Sequence, residues 1–286
     1  MRNLASQVGN VALSPNGSAV YYQGDTARPP FPIYGLSTAG GGQPIEIGSG
    51  SAPAVSPDNS EVGYAAADGR SIDIYDVSRK TTRRIELSSL IGNDADLGNT
   101  GSILAWVSKS LLVAVPLQDA SFASAGPAPS LPGQPATCSA AYALKKQCAI
   151  VINLGAAQTA RLVIVSAAHF LGGVAGPGNM PGTLLVGGPD GTISRYEVSP
   201  TALAAEGTVT VLGKGVIVEA FSPDGREVLY LQPGGPTSPP LTVGPGPTST
   251  KTSPETGVEL RAGNISQRFT QTRLLLADAY VSNISW

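Results

Sequence analysis

Short alternating runs of apolar and polar residues, broken by turn formers, fill most of the chain. In EAFSPDGREVLYL (219–231) an apolar segment meets Ser-Pro-Asp-Gly and a second apolar segment follows. The layout recurs in NVALSPNGSAVYY and in PAVSPDNSEVGYA, with 42 residues from Ser14 to Ser56. Weaker copies are SILAWVSKSLLVAVPL (102–117), with Ser108-Lys109-Ser110 as its turn, and GGVAGPGNMPGTLLVGG (172–188). The end of the sequence, VSNISW (281–286), reads as the first strand of another copy. Period-two alternation bounded by such turns predicts antiparallel hairpins, and no useful length of helical periodicity accompanies it.

The second half of each unit also repeats. EVGYAAADGRSIDIYDVSRKTTRRIEL and TLLVGGPDGTISRYEVSPTALAAEGTVTVLG each pass through Asp-Gly, at Asp68-Gly69 and Asp190-Gly191, into a further strand pair. Asp-Gly is a strong hairpin signal because glycine supplies the positive φ of a tight turn. One unit is therefore four strands, and a period near 42 residues suits a propeller blade. A lone four-stranded sheet leaves both faces bare, so copies must stack around an axis. The expected fold is all-β: one β-propeller domain over 1–286 with four-stranded antiparallel blades at about 9–50, 51–101, 102–169, 170–215 and 216–280, plus the first strand of a sixth. Pro/Gly/Ser/Thr-rich stretches at 117–147 and 232–257 read as insertions. Because the chain opens (VGNVALS) and closes on a first strand, the reading favours a fragment of a larger ring.

These residues resemble TolB-type and WD-repeat β-propellers. FSPDGREVLYL is similar to the first hairpin of a TolB-type blade, and ADGRSIDIYDVS and GGPDGTISRYEVS to the third strand of a WD-repeat blade. Tyr75-Asp76 and Tyr196-Glu197 then stand where that family often has Trp-Asp. The chain departs from the WD-repeat pattern in its histidines, because His169 is the only one.

Composition narrows the function classes. Charged residues make up 13% and the formal net charge is −2, with no basic stripe, which removes the electrostatic case for nucleic acid or an anionic membrane. Glycine (35) and proline (24) together exceed a fifth of the residues and sit largely at turns. The longest apolar runs, such as CAIVINL and RLVIVSAA, are strand-sized, so no direct membrane insertion is expected, and MRNLASQVGNVALSP lacks the apolar core of a secretory signal. Alanine, glycine and proline richness with few lysines suggests a high-GC bacterial source. That argues against glycosylation at the Asn264 and Asn283 sequons. Cys138 and Cys148 are disulfide candidates; if they pair, the compartment is extracytoplasmic, periplasmic or cell-surface, and otherwise cytoplasmic.

The candidate chemistry resolves mostly into turns. Pro15, Asn16 and Gly17; Pro57, Asp58 and Asn59; and Pro223, Asp224 and Gly225 occupy equivalent places. Proline presets φ, Asp or Asn bonds to the nearby backbone, and the next residue accepts a left-handed conformation. Asn16 standing where Asp58 and Asp224 stand argues for turn formation over a ring of carboxylates, since an amide is no base. His169 has no G-x-S-x-G nucleophile to serve. STAGGGQP (37–44) is followed by no Lys-Ser/Thr, and GPDGT has no calcium-loop ladder. No catalytic residue, metal or cofactor is therefore assigned. Of Tyr21, Tyr22, Tyr64, Tyr75, Tyr196 and Tyr230, about half are expected to face blade interfaces by strand alternation. The expected function is a non-catalytic binding module presenting loops to a protein or peptide partner, in the setting of a bacterial envelope protein. The alternative is a propeller whose central funnel binds a small molecule, sugar or metal, or carries an enzymatic activity.

Overall fold

The computed structural model describes residues 8–24, 30–40, 42–91, 102–116, 147–155, 158–165, 169–173, 182–187, 192–199, 202–212, 216–221, 226–233, 258–264 and 272–276. Within them the first unit is β1 (Val8–Leu13), β2 (Ala19–Gly24), β3 (Pro32–Ser37) and the start of β4 (Ile45–Val55). The rest of β4, β5 (Glu61–Ala66), β6 (Ser71–Asp76) and β7 (Thr81–Glu86) form the second, followed by the short helix α1 (Leu87–Ile91). The third is β8 (Ser102–Ser108), β9 (Leu111–Pro116), β10 (Gln147–Asn153) and β11 (Thr159–Val165). The fourth is β12 (His169–Gly173), β13 (Thr183–Gly187), β14 (Thr192–Ser199) and β15 (Ala202–Val211). The fifth is β16 (Ile217–Phe221), β17 (Glu227–Pro233), β18 (Val258–Asn264) and β19 (Thr272–Leu276).

Every ladder pairs sequence neighbours antiparallel. The strand opening each unit lies against the one opening the next: β1 against β4, β4 against β8, β8 against β12, and β12 against β16. Meandering four-stranded sheets with adjoining inner strands are a β-propeller. The fold class is the one expected from the repeat.

Three details differ from the sequence reading. The first two units share β4 and so form one seven-stranded sheet. The chain passes from the outer edge of one unit to the inner edge of the next without a loop, through a register shift between Ser51 and Ala54 with Ala52 at φ 53°. A bulge of this kind bends a strand sharply without ending it. Glycine is favoured at position 50, because a Cβ there would strike the Ala65 carbonyl oxygen unless the backbone shifted. The stretches read as insertions are shorter at their edges, since Gln147 already belongs to β10 and Gln232 and Pro233 to β17. Likewise β12 begins at His169, one residue before the expected start of the fourth unit. The sixth-unit strand at 281–286 lies outside the described residues.

The third unit shows why the sheets stack. Leu104, Trp106, Leu112, Ala114, Ile150 and Ile152 join Ala54, Ala65, Ile72 and Ile74 of the second unit in one buried cluster. The alternate positions Ala105, Val107, Val113, Val115, Ala149 and Val151 join Leu184, Tyr196 and Val198 of the fourth in another. Both faces of this sheet are covered, so LLVAV and AIVI read as unbroken apolar runs rather than as alternation. Each Val, Leu or Ile buried this way contributes about 1.5–3 kcal/mol.

A turn rim as candidate functional site

The first hairpin turns of units one and two are built identically. Ser14 Oγ, Ser18 N and Ser18 Oγ donate to Asn16 Oδ1 at 2.9, 3.0 and 2.7 Å, and Ala19 N donates to Ser14 Oγ at 2.8 Å. Around Asp58, Ser56 Oγ, Ser60 N and Ser60 Oγ donate to Oδ1 at 2.8, 3.1 and 2.6 Å, and Glu61 N donates to Ser56 Oγ at 2.9 Å. Gly17 (φ 70°) and Asn59 (φ 62°) fill the left-handed position, and Pro15 and Pro57 precede the Asn and Asp. Short polar side chains accept this geometry with least strain.

These turns also reach one another. Asn16 N donates to Asn59 Oδ1 at 3.1 Å, across the boundary of the first two units. Lys109 Nζ stands 3.0 Å from Asp58 Oδ2, across the next boundary. Lys109 is the middle of the degraded Ser108-Lys109-Ser110 turn. Its role was missed because only its failure to match the motif was visible. The usable signal was a cation standing where its neighbour has a carboxylate. Burial works to raise the Asp58 pKa, but donors from Ser60, Ser56 and Lys109 outweigh it and hold the carboxyl well below the usual range.

The turns between third and fourth strands share this end of the molecule. Thr38 N and Thr38 Oγ1 donate to Ser18 O and Gly17 O at 2.9 and 2.6 Å, and Val77 N donates to Ser60 O at 3.0 Å. Asp76 accepts from Arg79 N at 2.8 Å and from Ser78 N at 2.9 Å, and these bonds lower its pKa.

Asp68 and Gly69 lie at the opposite end of unit two. Gly69 has φ 66°, and Asp68 accepts from Arg70 N at 2.8 Å and from Ser71 N at 2.9 Å. Arg84 grips the buried Asp73 through Nε at 2.8 Å and Nη2 at 2.9 Å, and stands 3.4 Å from Asp68 through Nη1. Burial opposes ionisation of Asp68, but Arg70 N, Ser71 and Arg84 prevail and lower its pKa. The bond to Asp73 is the main cause raising the pKa of Arg84.

The remaining candidates are dispersed. Backbone pairing sets His169 opposite Gly187 and Cys148 opposite Ile164. Cys138, Asp190, Gly191, Pro223, Asp224 and Gly225 lie outside the described residues. Tyr21, Tyr22, Tyr64, Tyr196 and Tyr230 are buried. Among the described residues no group of three or more His, Cys, Asp or Glu is placed to hold a metal, and no helix is long and apolar enough to cross a membrane.

The arrangement defines a β-propeller module with a polar rim of interlinked turns. No family model and no curated protein matches the chain. Among solved structures it is similar to TolB from Acinetobacter baumannii, at 14% identity and TM-score 0.47 over 94% of this chain and 54% of that one. It is also similar to an oligogalacturonate lyase in complex with manganese, at 13% identity and TM-score 0.46 over 96% of this chain and 66% of that one. A third similarity is to the Cps50 (Swd1) β-propeller domain of Myceliophteria thermophila, at 11% identity and TM-score 0.44 over 80% and 62%. The chain thus spans about half the length of the Acinetobacter protein. Both TolB and enzymes occur among these structures, so the likeness carries no choice of activity.

Proposed function

We propose that the chain is a non-catalytic propeller module that presents its turn rim and loops to a protein or peptide partner. The observation that carries this reading is the linkage of successive turns, Asn16 to Asn59 and Asp58 to Lys109. Polar groups held in place before a partner arrives cost less to order on binding. The carboxylates of Asp58, Asp68, Asp73 and Asp76 are each engaged in bonds within the protein, which favours display over acid–base chemistry. The Pro/Gly/Ser/Thr-rich stretches at 117–146 and 234–257 add composition suited to recognition. If Cys138 and Cys148 pair, the module works on the extracytoplasmic side of a bacterial envelope.

The test is selection of displayed peptides against the full chain. Selected peptides are then titrated against the wild type, Lys109→Glu and Arg79→Glu, which reverse two exposed rim cations. Saturable binding that weakens about tenfold in a rim variant, or 1.4 kcal/mol, is the expected result. Peptide affinity indifferent to both substitutions, together with a melting temperature raised by a divalent cation or a sugar, would move the assignment to a ligand-binding funnel.

A further inference from the structure

Asn16-Gly17 is the one Asn-Gly step in the chain. Attack by a backbone nitrogen on the preceding Asn side chain is least hindered when that nitrogen belongs to glycine. Asn16 and Gly17 are both exposed. We propose that Asn16 is a site of spontaneous deamidation, that the folded turn slows the reaction, and that its aspartate product fits the turn already built around Asp58.

The chemistry needs only water. The Gly17 amide gives its proton to solvent base, and its nitrogen bonds to Asn16 Cγ. Nδ2 leaves as ammonia and a cyclic imide closes. Water then adds at Cγ and breaks the Cγ–N bond, which leaves aspartate on the normal backbone, or adds at the main-chain carbonyl and breaks its C–N bond, which leaves isoaspartate linked through Cγ.

Two features of the folded turn oppose the first step. Gly17 N donates to Ser14 O at 2.7 Å, so its proton is engaged. Three donors converge on Asn16 Oδ1 and fix the side chain. Attack at Cγ must disturb both, so it proceeds through local opening of the turn.

The product has a precedent one unit later. Asp58 Oδ1 accepts from the same three groups as Asn16 Oδ1, namely the hydroxyl two residues before and the amide and hydroxyl two residues after. Aspartate at position 16 keeps every one of those bonds and exchanges only an NH2 for an oxygen. Isoaspartate instead lengthens the backbone by one atom inside a turn whose ends are fixed by Ala19 N on Ser14 Oγ and Ser14 N on Ala19 O. Normal aspartate is therefore the product whose bonds the folded turn already provides, and each conversion to it adds one negative charge to the rim.

The experiment incubates the full chain at mildly alkaline pH, native and in urea, and maps both products by peptide mass spectrometry. Asn59-Ser60 serves as an internal comparison in the same digest. Conversion at Asn16 is expected to lead in urea and to be about tenfold slower in the native chain, the effect of losing one or two ordinary hydrogen bonds. Equal rates in both conditions, or no conversion at Asn16 in urea, overturn the proposal. Asn16→Asp is expected to melt with the wild type, and a clear drop in its melting temperature would sink the claim that the turn accepts the product.

Discussion

Two of the contacts that join units two and three are made differently. In the middle of the sheets, Trp106 is buried against Ala54, whose carbonyl accepts from Trp106 Nε1 at 3.0 Å. Gly63, paired with Ala54, lies beside the indole; a Cβ there would meet that nitrogen at an ordinary contact distance of 3.5 Å and would be tight only against Ile74 Cδ1, at 3.3 Å. At the rim the same units are joined by Lys109 and Asp58, with the lysine side chain 79% exposed. The first contact is dry, shaped and specific to its neighbours. The second is wet and adjustable. Propeller geometry is thus held by buried packing, which leaves the rim free to vary in composition without endangering the fold.

The largest expected effect comes from attacking the dry contact. Trp106→Ala should lower stability by about 3–5 kcal/mol, through lost burial and an unfilled cavity. Trp106→Phe keeps most of the volume and loses the bond to the Ala54 carbonyl, at a cost of about 0.5–1.5 kcal/mol. Urea denaturation of both variants checks the order; a Phe variant as unstable as the Ala variant would mean that the hydrogen bond, not packing, joins these units. Next comes the shared strand. Gly50→Ala sets a methyl group against the Ala65 backbone, and overpacking of this kind costs about 1–3 kcal/mol. Its loss should appear in the same melts, whereas Gly17→Ala, with open space around the new Cβ, bears only the strain of its φ of 70°.

How much of this was legible follows from what each contact needs. The repeat, the strand order and the turn at Asn16 and Asp58 are local, because a Pro-Asp-Gly turn and period-two alternation act within a dozen residues. The continuous β4 was not legible. SGSAPAV contains Gly, Ser and Pro, which signal a turn, and only the tight approach of Gly50 to Ala65 shows why the strand bulges instead. Lys109 was half legible: a cation stands where the neighbouring turn has a carboxylate, but 50 residues of chain lie between it and Asp58 and the link depends on how the units stack. The Arg84 grip on Asp73 was open to inference. They sit opposite each other in the β6–β7 register, where alternation places them on one face.

The smallest effect, and the sharpest separation of the two contacts, lies at Asp58. Asn16 runs the same turn with an amide, so Asp58→Asn should keep the turn bonds and lose only the ion pair. An exposed pair of this kind contributes about 0.2–1 kcal/mol, and salt screens it. Asp58→Ala removes the turn acceptor as well and should cost more, so the gap between the two variants isolates the turn from the clasp. The pH dependence has a definite sign. The folded carboxyl is held below its unfolded value of about 3.9, so its contribution is complete above that value and is lost as pH falls toward the folded one. Melting curves from neutral pH into acid should therefore show the wild type losing its advantage over Asp58→Asn only in the acid limb. An advantage that is already absent at neutral pH and low salt would show that Lys109 contributes nothing, and that the rim is held by its turns alone.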